Sequence, residues 1–121
     1  MNQVKEVNGF EEPNLNEIVF QGNPKTKEDI EASFRILNTR RELMERVVAR
    51  RTVLGRAKRY EADVMKAREA YHDKKINTAT RLELEGRMEE SNAKSVGCLE
   101  KARQYELEIT LWMNTLVSGG E

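Results

Sequence analysis

At 121 residues, 35% of them charged and 38% hydrophobic, the chain has one domain as its default and little apolar material for a compact core. Part of its stability is therefore expected from other subunits or a partner. Cys98 is the only cysteine, which excludes an intrachain disulfide, and His72 is the only histidine, so no familiar zinc site can form from the two.

The formal net charge is zero, but its distribution is uneven: −2 over residues 1–26, +5 over 27–75 and −3 over 76–121. The two later segments carry opposite signs, which favours their pairing. Exposed ion pairs contribute only about 0–1 kcal/mol each, so charge selects a partner more than it holds one. No apolar run approaches a membrane span, and the polar start does not resemble a signal peptide. A reducing cytoplasm, or a particle assembled there such as a virion, is the expected setting.

Residues 1–25 read as an extended arm. Asn2, Asn8, Asn14, Asn16 and Asn23, with Gly9, Gly22, Pro13 and Pro24, interrupt any helix, while Phe10, Leu15, Ile18 and Phe20 are candidate anchors. Glu17 to Gln21 could form a short strand or turn. Such an arm either drapes over a neighbouring subunit or folds back on its own helices.

A long amphipathic helix is expected over about 27–74. Asn23-Pro24 and Thr26 are alternative caps, and Glu28, Asp29 and Glu31 suit the positive end of the helix dipole. Leu43, Val47, Leu54, Ala57, Val64 and Tyr71 recur at steps of three, four or seven, with Arg50, Glu61 and Arg68 filling the gaps. A flanking row of Ile30, Phe34, Leu37, Met44 and Val48 broadens the stripe expected to pack on another helix. At 1.5 Å per residue the helix spans about 70 Å. Gly55 interrupts it as a kink, a close helix contact or a tolerated weak point.

The most basic stretch is 40–59. Arg40, Arg41, Arg46, Arg50, Arg51, Arg56, Lys58 and Arg59 stand against Glu42 and Glu45, a net excess of six positive charges. Arginine forks suit phosphates, making these candidate nucleic-acid contacts. A solvated face, or one paired with an acidic helix, explains the same run, and only Tyr60 lies nearby for base stacking.

Lys74 to Thr80 reads as a short turn between antiparallel neighbours, with Asn77, Thr78 and Thr80 as caps and Thr80 with Glu83 matching a capping box. The second helix, about 79–117, carries Leu84, Met88, Ser91, Ser95, Cys98, Ala102, Tyr105, Ile109, Trp112 and Leu116 at alternating steps of four and three. That is coiled-coil seam spacing. Gly86 and Gly97, with the two serines, would let another helix approach. Its C-terminal end is apolar on more than one side, so Cys98, Ala102, Tyr105, Ile109, Trp112, Met113 and Leu116 are candidates for an oligomer or partner interface. Ser118-Gly119-Gly120 ends the helix.

Recognisable catalytic chemistry is sparse. His72 reads as a surface residue, and Cys98 as packing. Val53 to Lys58 lacks phosphate-loop spacing, and Glu89 and Glu90 are adjacent, so they diverge on a helix. No catalytic residue, cofactor, metal or small-molecule substrate is expected.

The resulting expectation is an all-α protein: an elongated, antiparallel, coiled-coil-like helical hairpin over 26–118, with an extended arm over 1–25 and a tail over 119–121, acting as an oligomer. Its expected role is non-enzymatic, as a structural or assembly protein that forms a homo-oligomer or part of a larger assembly, such as a small virus or phage particle component. The alternatives are a nucleic-acid-binding accessory factor using 40–59, and a helical inhibitor or adaptor of a host protein.

Overall fold

A computed structural model of the chain describes residues 9–119, with the side chains of 117–119 excepted. The first eight residues of the expected arm, and Gly120 and Glu121 of the tail, lie outside the described residues. Two long helices pack against each other as a hairpin: α1, Lys27–Tyr71, and α2, Thr78–Gly119. Among the described residues there is no strand.

Local chemistry sets the helix ends. Of the two candidate caps for α1, Thr26 is used. Its Oγ1 accepts the Asp29 N–H at 3.0 Å, and Asp29 Oδ2 accepts the N–H groups of Thr26 and Lys25 at 3.3 and 3.1 Å. This reciprocal pair satisfies donors that the first turn leaves without helical partners. It also lowers the Asp29 pKa from its ordinary 3.8, chiefly through the Lys25 N–H.

Helix α1 stops at Tyr71, three residues before the expected end. Arg81, from the start of α2, donates to the Tyr71 and Asp73 carbonyl oxygens at 3.1 and 3.3 Å, and its guanidinium lies 5.5 Å from the Tyr71 ring centroid. The Tyr71 hydroxyl donates to Glu85 at 2.9 Å. Asn77 caps α2, its Oδ1 accepting the Thr80 N–H at 2.8 Å. Placing the cap at Asn77 puts Thr80 inside the first turn, so α2 begins one residue earlier than expected.

The chain divides into two compact units: Met1–Ala49 with Tyr105–Glu121, and Arg50–Gln104. In the first, Ile18, Leu43, Val47 and Ile109 form the buried core, with Phe10, Leu15, Ile36, Trp112, Met113 and Leu116 packed against it. The described part of the arm is therefore folded back on its own helices, where it forms a 3-10 turn at Leu15–Glu17 instead of a strand. Burying a side chain such as Ile18 contributes roughly 1.5–3 kcal/mol, which offsets the ordering of only about one or two residues, so the arm depends on Phe10 and Leu15 packing on the same core as well.

The second unit has a thinner core. Ala57, Ala67, Leu84, Ser91, Ser95 and Ala102 are buried. Ser95 is close enough to donate its hydroxyl to the Ala57 carbonyl at 3.5 Å, so small side chains replace bulk with backbone proximity. The Lys94 ammonium lies 5.7 Å from the Tyr60 ring centroid.

All ten members of the α2 seam are buried or half-buried. On α1 the seam follows Leu43, Val47, Arg50, Leu54, Ala57, Val64 and Tyr71. Glu61 and Arg68 instead face solvent, and Tyr60 and Ala67 take their places. The two choices differ by one residue, and the helical period admits both; desolvation sends the charged member outward.

Candidate functional site

The seven interface candidates on α2 lie in the chain's own packing. Ala102 and Ile109 are 2% and 1% exposed, while Cys98, Tyr105, Trp112, Met113 and Leu116 are half-buried. The chain's own packing therefore covers Ala102 and Ile109 fully and the other five in part.

The apolar surface turned outward is elsewhere. Ile30, Phe34, Leu37, Met44 and Val48 on α1 are 47%, 64%, 53%, 45% and 54% exposed. These residues were expected to widen the stripe against α2. At about 100° per residue, their row lies roughly a third of a turn from the Leu43–Val47 seam, outside the reach of one partner helix. With Arg41, the row steps through 30, 34, 37, 41, 44 and 48, a heptad pattern of its own. Leu107 and Leu111 on α2 and Val19 in the arm are further exposed apolar residues of this unit.

The arm anchors divide. Ile18 is buried, and Phe10 and Leu15 pack on the core; Phe20 is half-buried but outside that cluster. The arm is also held by polar contacts: Arg40 Nε donates to the Leu15 carbonyl at 3.0 Å and Nη2 to Asn16 Oδ1 at 3.5 Å.

The eight basic candidates divide as well. Arg40 serves the arm. Arg46 donates to Glu42 at 2.7 Å and Glu108 at 2.9 Å and lies 5.5 Å from the Trp112 ring centroid, tying α1 to α2. Those carboxylates, Glu42 first, push its pKa further up. Arg50 is fully buried. Arg41 is exposed and donates to Asn38. Arg51, Arg56, Lys58 and Arg59 are exposed, all four in the 50–104 unit. Of the eight, these four and Arg41 are the exposed ones, Arg41 lying in the other unit.

Among the described residues no group of three or more His, Cys, Asp or Glu side chains is placed to hold a metal ion, and no helix is long and apolar enough to cross a membrane. His72 is exposed, its ring edge-on to Tyr71 at 5.6 Å. A groove in the 50–104 unit is lined by Asp63, Lys66, Arg87 and Glu90 over a floor of Ala67, Ala70, Leu84 and Ser91, balanced in charge and without a strong nucleophile.

The outer row was visible in the sequence, but as part of one wide stripe. Its width was the missed signal: two heptad rows so far apart in phase cannot both face α2. No family model, curated protein or solved structure matches the chain.

Proposed function

We propose that the chain is a non-enzymatic structural or assembly protein, a helical hairpin that associates with itself through apolar surface outside its own packing. The observation that carries this reading is the row of Ile30, Phe34, Leu37, Met44 and Val48, each close to half exposed or more, at coiled-coil spacing. Monomeric proteins rarely expose contiguous apolar patches beyond a few hundred Å², and a row of five large side chains reaches that range.

Light scattering at low and moderate salt tests the reading. The expected result is a discrete multimer that dissociates in a Phe34→Glu, Met44→Glu variant while helicity by circular dichroism is retained. A parent chain that stays monomeric at both salts refutes it.

Nucleic-acid binding is the second reading, favoured by exposed Arg51, Arg56, Lys58 and Arg59 within nine residues. It requires salt-sensitive binding largely independent of base sequence. Arg56, Lys58 and Arg59 are the residues to reverse, because changes at Arg46 or Arg50 would damage the hairpin itself. Equal binding by the reversed variant, or no binding by the parent at low salt, counts against it.

A further inference from the structure

The row on α1 has a property that separates one partner from the others. Its steps, 30 to 34 to 37 to 41 to 44 to 48, read four, three, four, three, four in either direction. We infer that this row pairs with the same row of a second copy, antiparallel, about a two-fold axis beside residue 39. The inference rests on the self-association reading and specifies its geometry.

In that register every position in the row meets another. Ile30 faces Val48 of the second copy, Phe34 faces Met44, and Leu37 faces Arg41. The interface is then isologous, as closed two-fold dimers require. It places the largest ring opposite an unbranched, adaptable side chain.

A parallel pair fails on one layer. It would put Arg41 beside Arg41 of the second copy, two like charges in one layer with no apolar side chain for either stem to cover. The antiparallel pair instead lays each Arg41 stem over an aliphatic side chain. Its guanidinium can stay at the rim, where Asn38 and Glu42 of its own chain already lie within reach.

Area supports a second copy. Five large side chains, each roughly half exposed, present about 500 Å² per copy, so a symmetric pair removes at most about 1,000 Å², the lower limit for a specific interface. Charge adds a signature. Glu31 and Glu45 sit on the outer edge of the row, and this register brings each toward the other residue in the second copy. Their repulsion is screened by salt, so pairing tightens as salt is raised. An interface formed by attraction between the basic and acidic helices would loosen.

The test uses the full chain with Cys98→Ala, carrying either Ile30→Cys or Val48→Cys, each oxidised alone and as an equal mixture. Antiparallel pairing gives a disulfide-linked dimer in the mixture only. Within either variant the two thiols lie 18 residues apart along the axis, about 27 Å, far beyond disulfide reach. Arg41→Leu should tighten the dimer by about tenfold, because leucine puts an apolar end against Leu37 where the arginine offers only its stem.

Linkage within each single variant would mean parallel pairing and would overturn this register while leaving self-association intact. A multimer that does not link in any combination would place the contact on another face, with the same consequence. A monomeric parent would remove both the register and the proposed function, leaving the row for a different partner helix.

Discussion

Three glycines inside the helices provide a direct test of how the hairpin is built. Gly55 in α1 and Gly86 and Gly97 in α2 each have open space where a side chain would stand: a Cβ added there meets nothing within 4 Å. Their backbone is helical, so alanine introduces no strain. In a helix interior glycine is about 0.8–1.0 kcal/mol less favourable than alanine, because it surrenders more backbone freedom on folding. Gly86 and Gly97 are about 16 Å apart along α2, far enough for their effects to add. Gly55→Ala, Gly86→Ala and Gly97→Ala together should therefore raise stability by about 2–3 kcal/mol. Urea unfolding followed by circular dichroism, at one fixed protein concentration, measures this as a higher midpoint with an unchanged slope. No gain, or a loss, refutes the reasoning. A loss accompanied by a lower solution mass would show that a further helix lies against a glycine, as the small-residue pattern of α2 allowed. The single variants would identify which glycine it uses.

The remaining predictions concern the arm, the Arg46 cluster and the start of α1. Ile18→Ala should cost about 2–4 kcal/mol in urea unfolding, because the side chain is 6% exposed inside the core with Leu43, Val47 and Ile109; a change below about 1 kcal/mol would show that the arm does not hold that position. Arg46→Ala should cost about 1.5–3 kcal/mol, and Arg46→Lys less, since lysine keeps the charge but loses the fork that reaches both Glu42 and Glu108; a double-mutant cycle with Glu108→Ala isolates the link between helices, and zero coupling would contradict it. The Asp29 carboxyl, held below 3.8 by the Lys25 and Thr26 N–H groups, is stabilising when ionised. Its contribution is fully present above the unfolded pKa and is lost as pH falls through the lower folded value. An NMR titration should place its midpoint below 3.8, with Asp29→Asn removing the acid-induced fraying of the first turn of α1.

Periodicity made the α2 seam legible because its ten positions keep the same steps from Leu84 to Leu116. On α1 it held through Ala57 and then slipped by one residue at Glu61 and Arg68. Spacing alone does not choose between neighbouring positions; at these two places an uncharged neighbour, Tyr60 or Ala67, is available to be covered instead of the charge. The arm shows a different limit. Phe10, Leu15 and Ile18 were recognisable as anchors, but their docking depends on contacts such as Arg40 to the Leu15 carbonyl, made across 25 residues. No local pattern encodes that closure. Helix caps were nearly degenerate for the opposite reason: Asn77, Thr78 and Thr80 all satisfy the local rule, and the observed start of α2 depends on which oxygen takes the Thr80 N–H.

The basic stretch was where two sequence signals competed. Arg50 had a place in the α1 seam by phase and a place in a phosphate surface by charge, and both could not hold. It is 1% exposed, so phase prevailed. This bears on the outer row as well. Arg41 occupies a heptad position there, and a charged side chain in a seam is ordinarily an argument against pairing. The inner seam already accommodates an arginine in such a layer. Arg41 is placed at a less demanding point: it is exposed, with Asn38 and Glu42 beside it to receive the guanidinium at a rim. In the outer row, therefore, arginine limits the affinity of a symmetric pair and selects its antiparallel orientation, without excluding the pair.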